Sequence, residues 1–325
     1  MTKQHGPVSF ASPALHSVVS ADTARFAFAV LGIAAAVTFG TDTSVLARES
    51  TRGRAPATAG RDAKATASSC ALTRFTSGRV KAVIDGRTFV FDDGREVRLA
   101  AIEVAPLAPP GEERRGRSIG PDRNHSPAGE TARLALAALT GGREVVLKQG
   151  EAKAPPIDRY GRLVAFAFAA DGATERSLQD ALLTSGHARL STRIEPRGCL
   201  PGLRRHEDQA RRALLGLWGD PLYSARAAER PADILPQRGR FAVVEGTVVS
   251  VRESGGTIYV NFSRRWSDGF SAFILKRNAA RFPAAGLDLK RLKDRRIEVR
   301  GFVEQRRGPG ITIERPEQIA IIEAR

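Results

Sequence analysis

From Phe75 onward the apolar residues fall into short runs separated by turn residues. The runs Phe75–Ile84, Arg87–Phe91 and Glu96–Ile102 have the length and the aromatic or β-branched content of strands. Asp92-Asp93-Gly94, between the second and third, predicts a tight hairpin. Residues 105–125, rich in proline, glycine and charge, predict a long loop. Ser126-Pro127 then reads as a helix start, and Leu134, Ala135, Ala138 and Leu139 recur at helical spacing over Ala128–Leu139 until Gly141-Gly142. Strands follow at Glu144–Lys148 and Leu163–Ala169, helices at Ser177–Ser185 and Arg204–Leu215, and a short extended piece at Ala188–Ser191. The order of strands, helix, strands, helices predicts a mainly β protein with α (α+β), built on a five-stranded OB-like barrel with packed helices.

Pro221, Pro231 and Pro236 are spaced so that no long helix can run through 220–239, which reads as a linker. Beyond it the alternation resumes, with strands expected at Phe241–Val251, Thr257–Phe262, Phe270–Leu275, Arg296–Val303, Ile311–Ile313 and Gln318–Ile322. A helical patch at Lys276–Leu292 sits between the third and fourth of these, the order of a second small OB-like β-barrel. Upstream, residues 48–69 contain no bulky apolar side chain and read as a flexible linker. The expected organisation is therefore 1–47, 48–69, 70–220, 221–239 and 240–325.

Two features bear on compartment. Phe26–Phe39 is an unbroken apolar run after Arg25, followed by a small-residue site at Val45-Leu46-Ala47. It has the length of a signal-peptide core and is short for a membrane span. A periplasmic or secreted protein is expected; the other reading keeps residues 26–41 as an anchor in the inner membrane. In an exported chain the two cysteines, Cys70 and Cys199, favour one disulfide over two separate thiols. A formal charge of +16 adds polyanionic partners to the picture: nucleic acid, anionic lipid or acidic polysaccharide.

The ordered segments VIDGRT (Val83–Thr88), VRLAAIEVAP (Val97–Pro106), DRYGRLVAF (Asp158–Phe166), LQDALLTSGHARL (Leu178–Leu190) and EDQARRALLGLW (Glu207–Trp218) resemble the thermonuclease (staphylococcal nuclease-like) family over roughly 71–220. The resemblance implies that Arg98 and Arg162 grip a phosphate, a role that suits the bidentate fork of a guanidinium. It places Tyr160 and Thr88 beside the substrate, and Asp85 and Glu103 at a calcium site. The chain departs from the family pattern at Arg87, where a second acidic ligand is expected, and at Pro106, where the water-activating glutamate is expected. Ser191-Thr192-Arg193-Ile194 replaces the tyrosines that line the family's nucleotide pocket. Calcium needs several hard oxygen ligands, and Arg87 repels it. Glu112 and Glu113 are candidate replacement acids by proximity in sequence alone.

Elsewhere the five histidines show no metal-ligand spacing, and no phosphate-loop motif occurs. In the second barrel Tyr259, Arg264, Arg265 and Trp266 combine aromatic and basic groups, as in surfaces that stack and neutralise single strands. Two function classes stay open. One is a binding protein on a nuclease-like fold, holding nucleic acid or another phosphate-bearing polyanion through Arg98 and Arg162. The other is an active phosphodiesterase that hydrolyses DNA or RNA with Glu103 as its carboxylate. An envelope protein meeting lipid or polysaccharide is a third reading.

Overall fold

The computed structural model describes residues 70–107, 127–150, 156–172, 174–191, 195–265 and 267–322. The expected apolar run at 26–41, the linker at 48–69, Glu112, Glu113 and Trp266 lie outside them.

The long first strand β1 (Thr73–Asp85) pairs antiparallel with β2 (Thr88–Phe91), and β2 with β3 (Glu96–Leu99). The β2–β3 turn closes on Gly94, whose φ of 85° suits glycine and whose N–H donates to the Phe91 carbonyl. The run expected to reach Ile102 as one strand breaks in two. Buried Ala101 takes φ 63°, and the chain restarts as β4 (Ile102–Val104) in a separate ladder. After α1 (Ala128–Thr140) comes β5 (Glu144–Gln149), antiparallel to β1, then β6 (Leu163–Asp171), antiparallel to β5 and parallel to β3. The β3–β6 ladder closes the barrel. Phe89, Phe91, Val97, Leu99, Val145 and Leu147 belong to one buried core, which Leu136 on α1 joins.

Next, β7 (Thr174–Ser177) leads into α2 (Leu178–Thr184), where the Ser177 hydroxyl caps the Asp180 N–H. Buried Gln179 accepts from the Ala167 N–H and donates to the Ala165 carbonyl, so the helix is stapled to β6. Then β8 (Ala188–Leu190) pairs with β4, and α3 (Leu200–Arg212) begins earlier than its periodicity predicts. Cys70 and Cys199 form a disulfide spanning 129 positions.

Residues 221–239 carry structure of their own. Within them, β9 (Arg226–Ala227) runs parallel to the first strand of the second barrel, and α4 (Pro231–Ile234) buries Ile234.

The second barrel starts with β10 (Phe241–Thr247) and β11 (Ser250–Ser254), one bent strand whose halves pair with different neighbours. Antiparallel β12 (Thr257–Asn261) and β13 (Ser271–Leu275) follow, then α5 (Arg281–Ala284) and its flanking 3₁₀ turns in the expected helical patch. A long β14 (Arg296–Gln305) pairs with β10, β15 (Pro309–Ile313) lies parallel to β13, and β16 (Ile319–Ile321) adds to the β14 edge. Both barrels share one connectivity: the third strand pairs in parallel with the fifth, and the helical element comes before the fourth.

The barrels meet through buried charge. Arg300 on β14 is 1% exposed and holds Glu207 of α3 at 2.8 Å, and its other guanidinium face binds Glu298. Arg204 and Arg211 of α3 reach the same Glu298 at 3.1 and 2.8 Å, and Arg211 also binds Glu245 of β10. Burial opposes ionisation of Glu298, but Arg300 and Arg204 outweigh it and hold the carboxyl at about 2.

Candidate functional site

The β1–β2 turn is fixed from within. The Asp85 carboxylate accepts the Arg87 N–H at 2.8 Å, and Gly86 passes so close to α1 that a Cβ there would lie 2.5 Å from the Ala132 Cβ. This sends the Arg87 side chain toward β4. There Arg87 donates to the Ile102 carbonyl at 3.3 Å and forms an ion pair with Glu103. The Ala101 break aims Glu103 at this point, and Glu103 is 7% exposed.

On β3, Arg98 stands opposite Thr88 of β2 and Val164 of β6, with its guanidinium 3.5 Å from the other Glu103 oxygen. Burial lowers its pKa first, and the nearby Arg87 and Arg162 add to the effect, while Glu103 opposes them. Thr88 is buried, and its hydroxyl finds no hydrogen-bond partner among the described residues.

The Asp158–Arg162 turn delivers the third guanidinium. Gly161 supplies φ 82°, and the Asp158 carboxylate accepts the N–H groups of Tyr160 and Arg162. The same carboxylate pairs with the Arg162 guanidinium at 2.7 Å. Tyr160 stands out at 65% exposed, with Arg159 and Arg162 against its ring at 4.7 and 5.0 Å.

The mouth of the first barrel thus gathers Arg87, Arg98 and Arg162 with Asp85, Glu103 and Asp158. The charges balance, and each guanidinium is held by a carboxylate of the protein. The geometry suits an exchange in which phosphate oxygens take the place of those carboxylates on Arg98 and Arg162, both of which keep solvent access. It does not fit calcium. Both Glu103 oxygens face arginines, Asp85 is engaged by the backbone of its own turn, and no group of three His, Cys, Asp or Glu residues that could hold a metal occurs among the described residues.

On the second barrel, Tyr259 lies in a groove of about 510 Å³ whose other walls include Arg252, Asn261, Phe273 and Arg306. Tyr259 meets Phe273 edge-on at 5.8 Å, and the Arg306 guanidinium lies 4.2 Å from the centre of the Phe273 ring. Arg264 and Arg265 are exposed in the turn after β12 and do not line this groove. Arg252 and Arg306 escaped the sequence reading. The signal for Arg252 was available in the alternation, since it stands directly across from Tyr259 in the β11–β12 ladder. Arg306 reaches Phe273 only through the β14–β15 turn.

No curated protein matches this chain. Residues 96–220 match the family model described as Staphylococcal nuclease homologue, which takes in β3 to the turn after α3 and includes Arg98, Glu103, Tyr160 and Arg162. Together with the closed barrel completed by β1 and β2, this match shows that the chain carries a thermonuclease-like domain of that family.

Proposed function

We propose that this protein binds nucleic acid or another phosphate-bearing polyanion at the mouth of its first barrel, through Arg98 and Arg162, without calcium-dependent hydrolysis. The observation that carries this reading is the Arg87–Glu103 ion pair. A cation fills the place of one carboxylate ligand and neutralises another, while both phosphate-gripping arginines stay in position. The stacked Tyr160 beside Arg162 offers a ring for a base. Export through residues 26–41 belongs to the same proposal, with the bulk of the chain periplasmic or secreted.

The test is a titration of the full chain with single-stranded DNA and RNA, in calcium and in chelator, beside the Arg98→Ala/Arg162→Ala variant. The expected result is chelator-insensitive binding that weakens steeply with salt and falls at least tenfold in the variant. Calcium-dependent cleavage lost in the variant would replace this reading with that of an active phosphodiesterase. The absence of both binding and cleavage would remove nucleic acid from the account. Fractionation of cells, with the size of the mature chain, tests export and separates a cleaved leader from a retained anchor.

A further inference from the structure

The groove on the second barrel is built from two neighbouring rows of its sheet. In one row Arg252, Tyr259 and Phe273 stand side by side across β11, β12 and β13. In the other, Ser250, Asn261 and Ser271 do the same on the same strands. The rows lie two positions apart along each strand, so both project from one face, away from the core that holds Val260, Ala272 and Ile274. The remaining wall is a turn seated on glycine. A Cβ on Gly310 would lie 2.2 Å from the Phe273 ring, and one on Gly308 would lie 2.4 Å from the Gly269 carbonyl oxygen. The Phe273 ring therefore rests on bare β15 backbone, and the β14–β15 turn is pressed against the chain before β13. The Arg306 N–H donates to the Gly308 carbonyl at 3.2 Å, which fixes where Arg306 and Arg307 leave the backbone.

Arg252, Arg306 and Arg307 line this groove, and no acidic residue does. Arg252 is exposed, and its guanidinium makes no hydrogen bond or ion pair among the described residues. Arg306 meets the Glu304 carboxylate at 3.8 Å, with both groups open to solvent. At the mouth of the first barrel every guanidinium is held by an acid of the protein; the lining of the groove carries positive charge with no acid to match it. The second row is spent on itself. The Ser271 hydroxyl donates to Asn261 Oδ1 at 2.9 Å, and Asn261 Nδ2 donates to the Ser250 hydroxyl at 3.2 Å. What the groove offers a ligand is therefore the half-buried Tyr259 ring and a set of cations.

We infer that this groove is a second, separate site for single-stranded nucleic acid, which stacks a base on Tyr259 and sets flanking phosphates against Arg252 and Arg306 with little discrimination among bases. A ring beside unmatched guanidiniums suits a polymer that alternates flat faces with anionic links. An acidic peptide would engage the arginines and leave the ring unused. Base identity is read through hydrogen bonds to base edges, and here the polar row is already committed to Ser250 and Ser271. The groove volume of about 510 Å³ suits a nucleotide unit. This inference does not rest on polyanion binding at the barrel mouth, since Arg98 and Arg162 do not line the groove.

The experiment titrates the full chain with labelled oligothymidylate of about twelve nucleotides, an abasic strand of the same length and polyglutamate. Tyr259→Leu, Tyr259→Phe and Arg252→Ala are each made in the wild type and in Arg98→Ala/Arg162→Ala, with the unfolding temperature of every variant as a check on folding. Arg252 has no side-chain partner to lose, so its substitution reports on binding even where a change at Tyr259 lowers that temperature. Tyr259→Leu is expected to weaken oligothymidylate binding about tenfold and leave the abasic strand unaffected, while Tyr259→Phe binds like the parent. Arg252→Ala should weaken both strands and lower the salt slope by about one. Oligoadenylate and oligocytidylate should bind within severalfold of oligothymidylate. Binding that depends on these variants but not on Arg98→Ala/Arg162→Ala supports this inference and overturns the barrel-mouth reading instead. Oligothymidylate binding indifferent to all three variants in both backgrounds overturns the inference and leaves the barrel mouth standing. So does a complete loss of binding in Arg98→Ala/Arg162→Ala alone, or an equal loss of both strands in Tyr259→Leu. Polyglutamate bound as tightly, with the same dependence on Arg252, would assign the groove to an acidic chain and overturn it too.

Discussion

The two barrels are built on one connectivity and present different chemistry. In the first, the turn before β2, strand β3 and the turn before β6 bring three arginines to one mouth, each matched by an acid. In the second, β11, β12, β13 and the β14–β15 turn build a groove of rings and guanidiniums, where Arg306 packs on Phe273 rather than against a buried carboxylate. Topology sets which loops and strands meet. The residues at those positions decide the chemistry of the meeting place, so the shared fold does not by itself imply a shared function. The largest difference lies in what each barrel lends the other. The first contributes Glu207, Arg204 and Arg211 from one helix, and the second answers with Arg300, Glu298 and Glu245 from two adjacent strands.

The hardest blow to that comparison is Arg300→Met, which strands Glu207 in a buried site. The cost expected from breaking a buried pair is about 3–5 kcal/mol, read as a lower denaturant midpoint for the whole molecule. Separate transitions of the two barrels, with only the second shifted, would show that the shared charges do not couple them. Next comes the covalent tie that only the first barrel has. Cys70→Ser/Cys199→Ser is expected to cost about 2–4 kcal/mol, the typical worth of a disulfide, read by the same unfolding assay under oxidising conditions.

Acid gives a third handle. Glu298 falls from an ordinary 4.5 to about 2 in the folded state, so its contribution is fully present above 4.5 and is lost as pH drops toward 2. Roughly 2–3 kcal/mol of stability should disappear across that window. Glu298→Gln, which leaves Arg300 paired with Glu207, is expected to flatten the loss. An unchanged acid profile in that variant would assign it to other carboxylates. The smallest effect belongs to the groove. Arg306→Ala should change stability by about 0.5–1 kcal/mol and reduce the salt slope of single-strand binding by about one phosphate contact. Loss of a larger slope in Arg98→Ala/Arg162→Ala would rank the barrel mouth above the groove.

Much of this architecture was legible in local pattern. The hairpin at Asp92-Asp93-Gly94, the helix over Ala128–Leu139 and the alternation of the second barrel follow from period and turn chemistry, which act over a few residues. The bulk motifs also brought Arg98, Glu103 and Arg162 to one place. What stayed hidden depends on distant partners. Nothing near Glu103 in the sequence announces that Arg87 will bind it, since the pairing needs the Ala101 break to aim the glutamate. In Arg296–Gln305 the alternation puts Glu298 and Arg300 on one face and Ile297, Val299 and Gly301 on the other, which reads as a strand with one face in solvent. Both faces are buried, because α3 covers the charged one. Residues 221–239 suffered similarly. Their prolines argued for a linker, while Tyr223 and the parallel β9 ladder are fixed by contacts to residues far along the chain.

The arginine at 300 also sets an order of events during synthesis. Glu207 is made 93 residues before its buried partner, and Arg189 before the Phe241 carbonyl that receives it. A first barrel that folds before β14 is available therefore has the charged face of α3 uncovered. The surface of the first barrel becomes final only when β14 has docked on α3.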